Sequence, residues 1–428
     1  MERIPYEHVQ ETIYHEQLPN GLHVYLLPKP GFQKTYATFS TKYGSIDNRF
    51  QVEGGPEHRV PDGIAHFLEH KMFEEQEGDI FATFASQGAS SNAYTSFDRT
   101  VYLFSATDHI EDNVKTLINF VQNPYFTDEN VEKEKGIIGQ EINMYRDNPD
   151  WRSYFGLIEA LYKNHPVHID IAGTVDSIAQ ITKETLYDCY HTFYHPSNMI
   201  LFVVGGFEPE PMMELIRANQ AAKTFKPQGE IKRYFDPEPV AVNEKERRIR
   251  LPVSLPKCLI GFKEPPQELE GEALLRRELE MKLVLDMLFS QSSTIYQKLY
   301  DEGMISDNFG HEYNQVGNQA FSIVGGDTKD PDGLIARLRE EIEAVQRSGF
   351  EAAAFERSRK KRVGGFLRML NSPESLAGEF TKYKFRGIDL FSILPVYESL
   401  TLDSLNRRLQ EHFDWNRSAV SIVRSDVV

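Results

Sequence analysis

Cysteine is nearly absent from this chain: its 428 residues contain two, Cys189 and Cys258, and no C-x-x-C pair. That excludes a disulfide framework and a cysteine-based zinc knuckle. Long apolar runs are missing as well. The most apolar stretch, Met199-Ile200-Leu201-Phe202-Val203-Val204, has the length of a strand and falls far short of the roughly 18 residues that read as a membrane span. Basic charge is in deficit: Lys+Arg 47 against Asp+Glu 64 gives a net charge of −17. A surface of that sign repels a phosphate backbone and an anionic bilayer, so neither nucleic acid nor a membrane is expected as a partner. The opening residues, Met1-Glu2-Arg3-Ile4-Pro5-Tyr6-Glu7-His8, hold no apolar core of a secretory signal, and a cytoplasmic location is expected. What remains is ordinary globular composition, 40% hydrophobic and 26% charged, in a chain long enough for two to four domains of about 100–200 residues each.

The chain reads as a duplication. Ile110, Val114, Leu117, Ile118 and Val121 lie on one face of an amphipathic helix, and Leu334, Leu338, Ile342 and Val345 repeat that face 224 residues later. The same offset carries Phe126 onto Phe350, Val131 onto Phe355 and Glu132 onto Glu356, into a second helix in each copy. A period this long implies two homologous domains rather than a solenoid. The Pro- and charge-rich stretch 226–250 reads as the linker between an N-terminal domain 1–225 and a C-terminal domain 251–428. Strands are expected at Leu22–Leu27, Thr100–Phe104 and Ile200–Val204, with helices among them. Each half is therefore α+β, a sheet with helices packed on it.

The chemistry concentrates in Asp62-Gly63-Ile64-Ala65-His66-Phe67-Leu68-Glu69-His70-Lys71-Met72-Phe73, which contains H-x-x-E-H. Residues i and i+4 of a helix share a face, so His66 and His70 can reach one metal ion. Glu69, three residues after His66, sits where it can hold a water rather than the ion; this is the inverted order of the H-E-x-x-H zinc helix. Two histidines and a glutamate among Phe67, Leu68, Met72 and Phe73 are costly to bury without a partner such as a metal. A catalytic zinc ordinarily takes three protein ligands. The helix that begins near Asp128 offers Glu132, Glu134 and Glu141, among which spacing alone does not choose.

His66-Phe67-Leu68-Glu69-His70 followed by Met72-Phe73, then Asn92-Ala93-Tyr94-Thr95, then Glu134 and Glu141 seven apart, resembles the insulinase-type (pitrilysin) family of zinc metallopeptidases. Leu18-Pro19-Asn20-Gly21-Leu22, His165-Pro166, Gly173-Thr174 and His195-Pro196-Ser197-Asn198 agree with it. The resemblance covers most of residues 14–225 and continues weakly to the end as a degenerate second copy. It is nearest to the short bacterial and mitochondrial-processing-peptidase-like branch. It implies mainly antiparallel sheets, with the two domains forming half of a clamshell. It also implies one Zn²⁺ per chain held by His66, His70 and Glu141, with Glu69 as general base and Glu134 as a supporting acid. Asn92, Ala93 and Tyr94 would be a strand edge that pairs with peptide substrates. The offset of 224 puts Ser358 opposite Glu134 and Gly365 opposite Glu141, and the C-terminal half holds no H-x-x-E-H. One site would thus serve both halves. The resemblance also implies an Arg and a Tyr in the second domain, yet the corresponding positions carry Tyr300 and Ser306. The resemblance implies a dimer, and the missing pair favours a heterodimer with a homologous subunit that lacks the metal motif over a homodimer. A non-catalytic core subunit of the same fold is the competing reading.

Overall fold

The computed structural model describes residues 1–76 and 78–425 and resolves them into two main sheets, each with helices on it, and two small ones of three and two strands. The first sheet has seven strands: β1 (Glu2–Tyr6), β2 (Glu11–Gln17), β3 (His23–Pro28), β4 (Thr35–Thr41), β5 (Ala89–Thr95), β6 (Thr100–Ala106) and β7 (Met199–Gly205). Their order across the sheet is β1-β2-β3-β7-β4-β6-β5. Only β3 and β7 run parallel; the other neighbours are antiparallel. The second sheet, of β8 (Glu246–Arg250), β9 (Lys257–Lys263), β10 (Gly310–Val316), β11 (Gln319–Asp327) and β12 (Ser418–Arg424), has the order β8-β12-β9-β11-β10. Its one parallel pair, β8 with β12, corresponds to β3 with β7. Five strands of one sheet thus map onto the five of the other in order and direction, as a duplicated chain should.

The helices carry the repeat at fixed register. α1 (Ile64–Met72) lies between β4 and β5, and α2 (Ile110–Val121), α3 (Asp128–Arg146) and α4 (Pro149–Leu161) are matched by α5 (Pro331–Ser348), α6 (Ala352–Met369) and α7 (Pro373–Phe385). Both ends of α4 shifted by 224 residues fall on the ends of α7.

The packing departs from the expected division at 1–225 and 251–428. One compact unit comprises Met1–Ile142, Asp170–Phe235 and Leu367–Phe385; the other comprises Asn143–Ile169, Asp236–Phe366 and Arg386–Val428. The two halves of the sequence have exchanged a helix. α4, from the first half, lies on β8, β9 and β12, and α7, from the second, lies on β4 and β7. Gly156 of α4 explains the close seat, since a Cβ there would stand 2.6 Å from Ile249 of β8. Apolar periodicity shows that a helix has a face to bury but not which sheet receives it. The 226–250 stretch is also more ordered than a linker: Ile231–Arg233 pairs with Arg49–Val52, and Glu246–Arg250 is β8 itself. Among the described residues no helix is long and apolar enough to cross a membrane.

The exchange makes the first unit's core depend on a segment from near the end of the chain. Phe380 of α7 is 1% exposed, stacks on Phe202 at 4.3 Å and meets Tyr25 edge-on at 5.1 Å. Phe380→Ala should cost about 3–5 kcal/mol, measured by chemical denaturation. A loss below about 1 kcal/mol would mean that α7 is not an integral part of that core.

Candidate metal centre

α1 begins at Gly63, whose φ of 88° is left-handed and whose missing side chain leaves room for Ala172. A Cβ at Gly63 would lie 2.4 Å from the Ala172 carbonyl oxygen. The preceding residue is tied down as well. Asn48 Nδ2 donates to the Asp62 carboxylate at 2.8 Å, and the Ser177 hydroxyl donates to the Asp62 carbonyl at 2.8 Å. From this fixed start Ile64, Ala65, Phe67, Leu68 and Met72 turn into the core, and α1 packs on β5 and β6. His66 and His70 then emerge one turn apart with their ring centroids 4.6 Å apart.

α3 brings Glu141 between them. His66 Nε2 lies 3.7 Å from Glu141 Oε1, and His70 Nε2 lies 3.5 Å from Glu141 Oε2. Donor atoms of the three side chains all lie within 4.8 Å of one another. A tetrahedral ion with bonds of about 2.1 Å sets its donors about 3.4 Å apart, so this spacing fits a single zinc-sized ion. The chemistry fits as well: two imidazoles and a carboxylate make an N/O set that leaves a coordination position open. The His66 Nδ1 atom is buried without a hydrogen-bond partner. The His66 ring is therefore oriented by burial and not by the hydrogen bond that a ligating histidine usually makes through its second nitrogen.

The remaining acids separate by position. Glu134 Oε1 accepts from His70 Nδ1–H at 3.1 Å, which turns Nε2 of that ring toward Glu141. Glu132 faces elsewhere, in an ion pair with Lys135 at 2.6 Å. Of the three glutamates that spacing left open, one joins the histidines, one braces a histidine and one is outside. Glu69 is 8% exposed and accepts a 2.6 Å hydrogen bond from the Thr95 hydroxyl. Burial pushes its carboxyl above the ordinary range; the Thr95 bond and nearby His70 pull the other way without cancelling it. A carboxyl raised above its ordinary range is better matched to both taking and returning a proton.

Asn92, Ala93 and Tyr94 lie on β5, at the edge of the seven-stranded sheet, and pair inward with Leu103, Tyr102 and Val101 of β6. No described strand pairs with the outer edge of β5. β5 ends at Thr95, the residue that holds Glu69, so this open backbone edge leads to the acid. The link through Thr95 and the ammonium of Lys71, whose Nζ lies 3.8 Å from Glu134 Oε2, were not found from the sequence. The only signals were a threonine closing the Asn-Ala-Tyr-Thr run and a lysine among apolar helix residues.

Known proteins resemble this chain along most of its length. Residues 51–175 match the model of the insulinase family, peptidase family M16, and residues 180–362 match that of the M16 inactive domain. The chain is 53% identical to the uncharacterized zinc protease YmfH of Bacillus subtilis across 97% of both chains. It superposes on the crystal structure of an M16-like peptidase from Alicyclobacillus acidocaldarius with a TM-score of 0.94. That match has 43% identity and covers 97% of this chain and 99% of the other. A protease from Helicobacter pylori shares the fold at a TM-score of 0.82, with 20% identity over 96% of this chain and 99% of its own.

The two histidines differ in proton affinity. Burial, reinforced by the nearby charge of His70, holds His66 down to about 3. Burial also acts to lower His70, but the bond to Glu134 and the charges of Glu69, Glu134 and Glu141 outweigh it, leaving His70 above 6.5. From pH 6.5 down to well above 3, His70 and not His66 must shed a proton to bind metal. Apparent zinc affinity should therefore fall about tenfold per pH unit there, as read by chelator competition. A hundredfold fall per unit would show both rings titrating together.

Proposed function

The chain belongs to the insulinase-type peptidase family, M16, and from that membership and the site we propose that it is a zinc-dependent endopeptidase. The observation that carries the reading is the convergence of His66, His70 and Glu141 with buried Glu69 one helical turn away. An inactive scaffold has no use for these four groups together. Zinc held by the three ligands supplies an acidified water and a Lewis acid for a carbonyl. Glu69 takes the proton that the attacking water loses and returns it to the leaving amine. Thr95 keeps the Glu69 carboxylate aimed through its 2.6 Å bond, and Glu134 orients His70.

The substrate class follows from β5. The substrate backbone adds as a further strand beside Asn92, Ala93 and Tyr94, so main-chain hydrogen bonds hold it and side-chain preference is relaxed. Extended peptides and unfolded segments present such a strand most readily. Residues 300 and 306 are Tyr and Ser, so the Arg and Tyr that assist the reaction would come from a homologous partner lacking the metal motif. A dimer of that kind, enclosing the substrate, belongs to the same proposal.

Cleavage of a mixed pool of quenched peptides tests the activity. Glu69→Gln should keep zinc and lose turnover by about 10²-fold to 10⁴-fold, whereas Glu141→Ala should lose the zinc itself. Equal metal loss in both variants, or cleavage unaffected by Glu69→Gln, would contradict the assigned roles. Activity of the wild-type chain alone would remove the need for a partner.

A further inference from the structure

Outside the metal centre, one relay has the connectivity of a hydrolase triad. Ser322 Oγ lies 2.6 Å from His412 Nε2, and His412 Nδ1 lies 2.7 Å from Glu264 Oε1. Ser322 is 1% exposed on β11, so its hydroxyl is closed to substrate, and the relay serves to satisfy a buried imidazole.

Lys71 offers more. It follows His70 on α1 and is completely buried, at 0% exposure, beside Leu68 and Met72. Its Nζ contacts Glu74 Oε2 and lies 3.8 Å from Glu134 Oε2, while Glu134 Oε1 accepts from His70 Nδ1–H at 3.1 Å. The chain of contacts is therefore Glu74, Lys71, Glu134, His70. Taking an ammonium out of water is costly, and an apolar side chain of similar length fills such a space at less expense. Lys71 is thus not explained by packing.

We propose that Lys71 is a positioning residue for the metal centre: it clamps Glu134 so that this carboxylate fixes the His70 ring with Nε2 toward the ion. The inference rests on the zinc-site reading above. Two effects of Lys71 oppose each other. As a charge, an ammonium repels a dication, and removing it would tighten zinc binding. As a clamp, it holds His70 in place, and removing it would loosen binding. Contact with the Glu74 carboxylate offsets much of the field of the ammonium at the ion, whereas among the described residues Lys71 is the cation beside the second oxygen of Glu134. The clamp therefore dominates.

The sign of the change in zinc affinity decides between the two, measured on the full chain by competition with a chromophoric chelator. Lys71→Met should weaken zinc by about 10-fold to 100-fold, and Lys71→Arg should recover most of the loss. In a Glu134→Ala background, Lys71→Met should change affinity by less than about twofold, because neighbours acting through one group are not additive. Lys71→Gln provides a second variant should Met between two carboxylates prevent folding, and it should lose affinity in the same direction. Unchanged or tighter binding in the Lys71 variants, or a loss that persists without Glu134, would overturn the proposal. A wild type that binds zinc, with Glu141→Ala that does not, keeps the metal reading intact in that event. A wild type that binds none overturns both.

Discussion

The proposed metal centre depends on one helix–helix register: α3 delivers the Glu141 carboxylate between two imidazoles set one turn apart on α1. Distances of 3.7 and 3.5 Å from Glu141 to the two Nε2 atoms leave little slack, since a metal bond tolerates only a few tenths of an ångström. The surroundings of α1 are consistent with that demand. Its first residue is wedged by a left-handed glycine against the Ala172 carbonyl, its apolar side chains are locked into the core, and Glu134, one turn-pair before Glu141 on α3, holds the same His70 from behind. A single helix thus contributes both a ligand and the support of another ligand.

The duplication shows what that register is worth when the chemistry is gone. α6 retains the length and apolar face of α3, with Phe355 and Phe366 buried, but Ser358 and Gly365 stand where the acids would be. The order of the five shared strands is the same in both copies. Packing and the proposed site therefore separate: the second copy keeps the fold without the acids, so the acids of α3 are not needed to hold the architecture. The exchanged helices α4 and α7 bind the two halves of the sequence into one folding problem, because each sheet is completed only by a helix from the other half.

Much of this was legible in the sequence, and the physical reasons differ by feature. Strands at Leu22–Leu27, Thr100–Phe104 and Ile200–Val204 stand within two residues of β3, β6 and β7, because apolar runs of strand length between turn residues have few other solutions. The histidine pair was legible because helical geometry converts a spacing of four into proximity. Which glutamate met them was not, since Glu132, Glu134 and Glu141 differ only in how α3 is rotated against α1, a tertiary fact. The helix exchange was hidden for the same reason: α4 and α7 have apolar faces that either sheet could cover. Lys71 escaped notice because a lysine on a short helix ordinarily reaches solvent, and only the fold reveals that this one is sealed in.

The account stands or falls on two imidazoles and a carboxylate meeting at one ion. Zinc K-edge X-ray absorption on the zinc-loaded chain tests that directly. The account predicts a first shell of nitrogen and oxygen only, at about 2.0–2.1 Å, with outer-shell scattering from two imidazoles that falls to one in His66→Ala. A shell with fewer than two imidazoles in the wild type, or one containing sulfur, would contradict it.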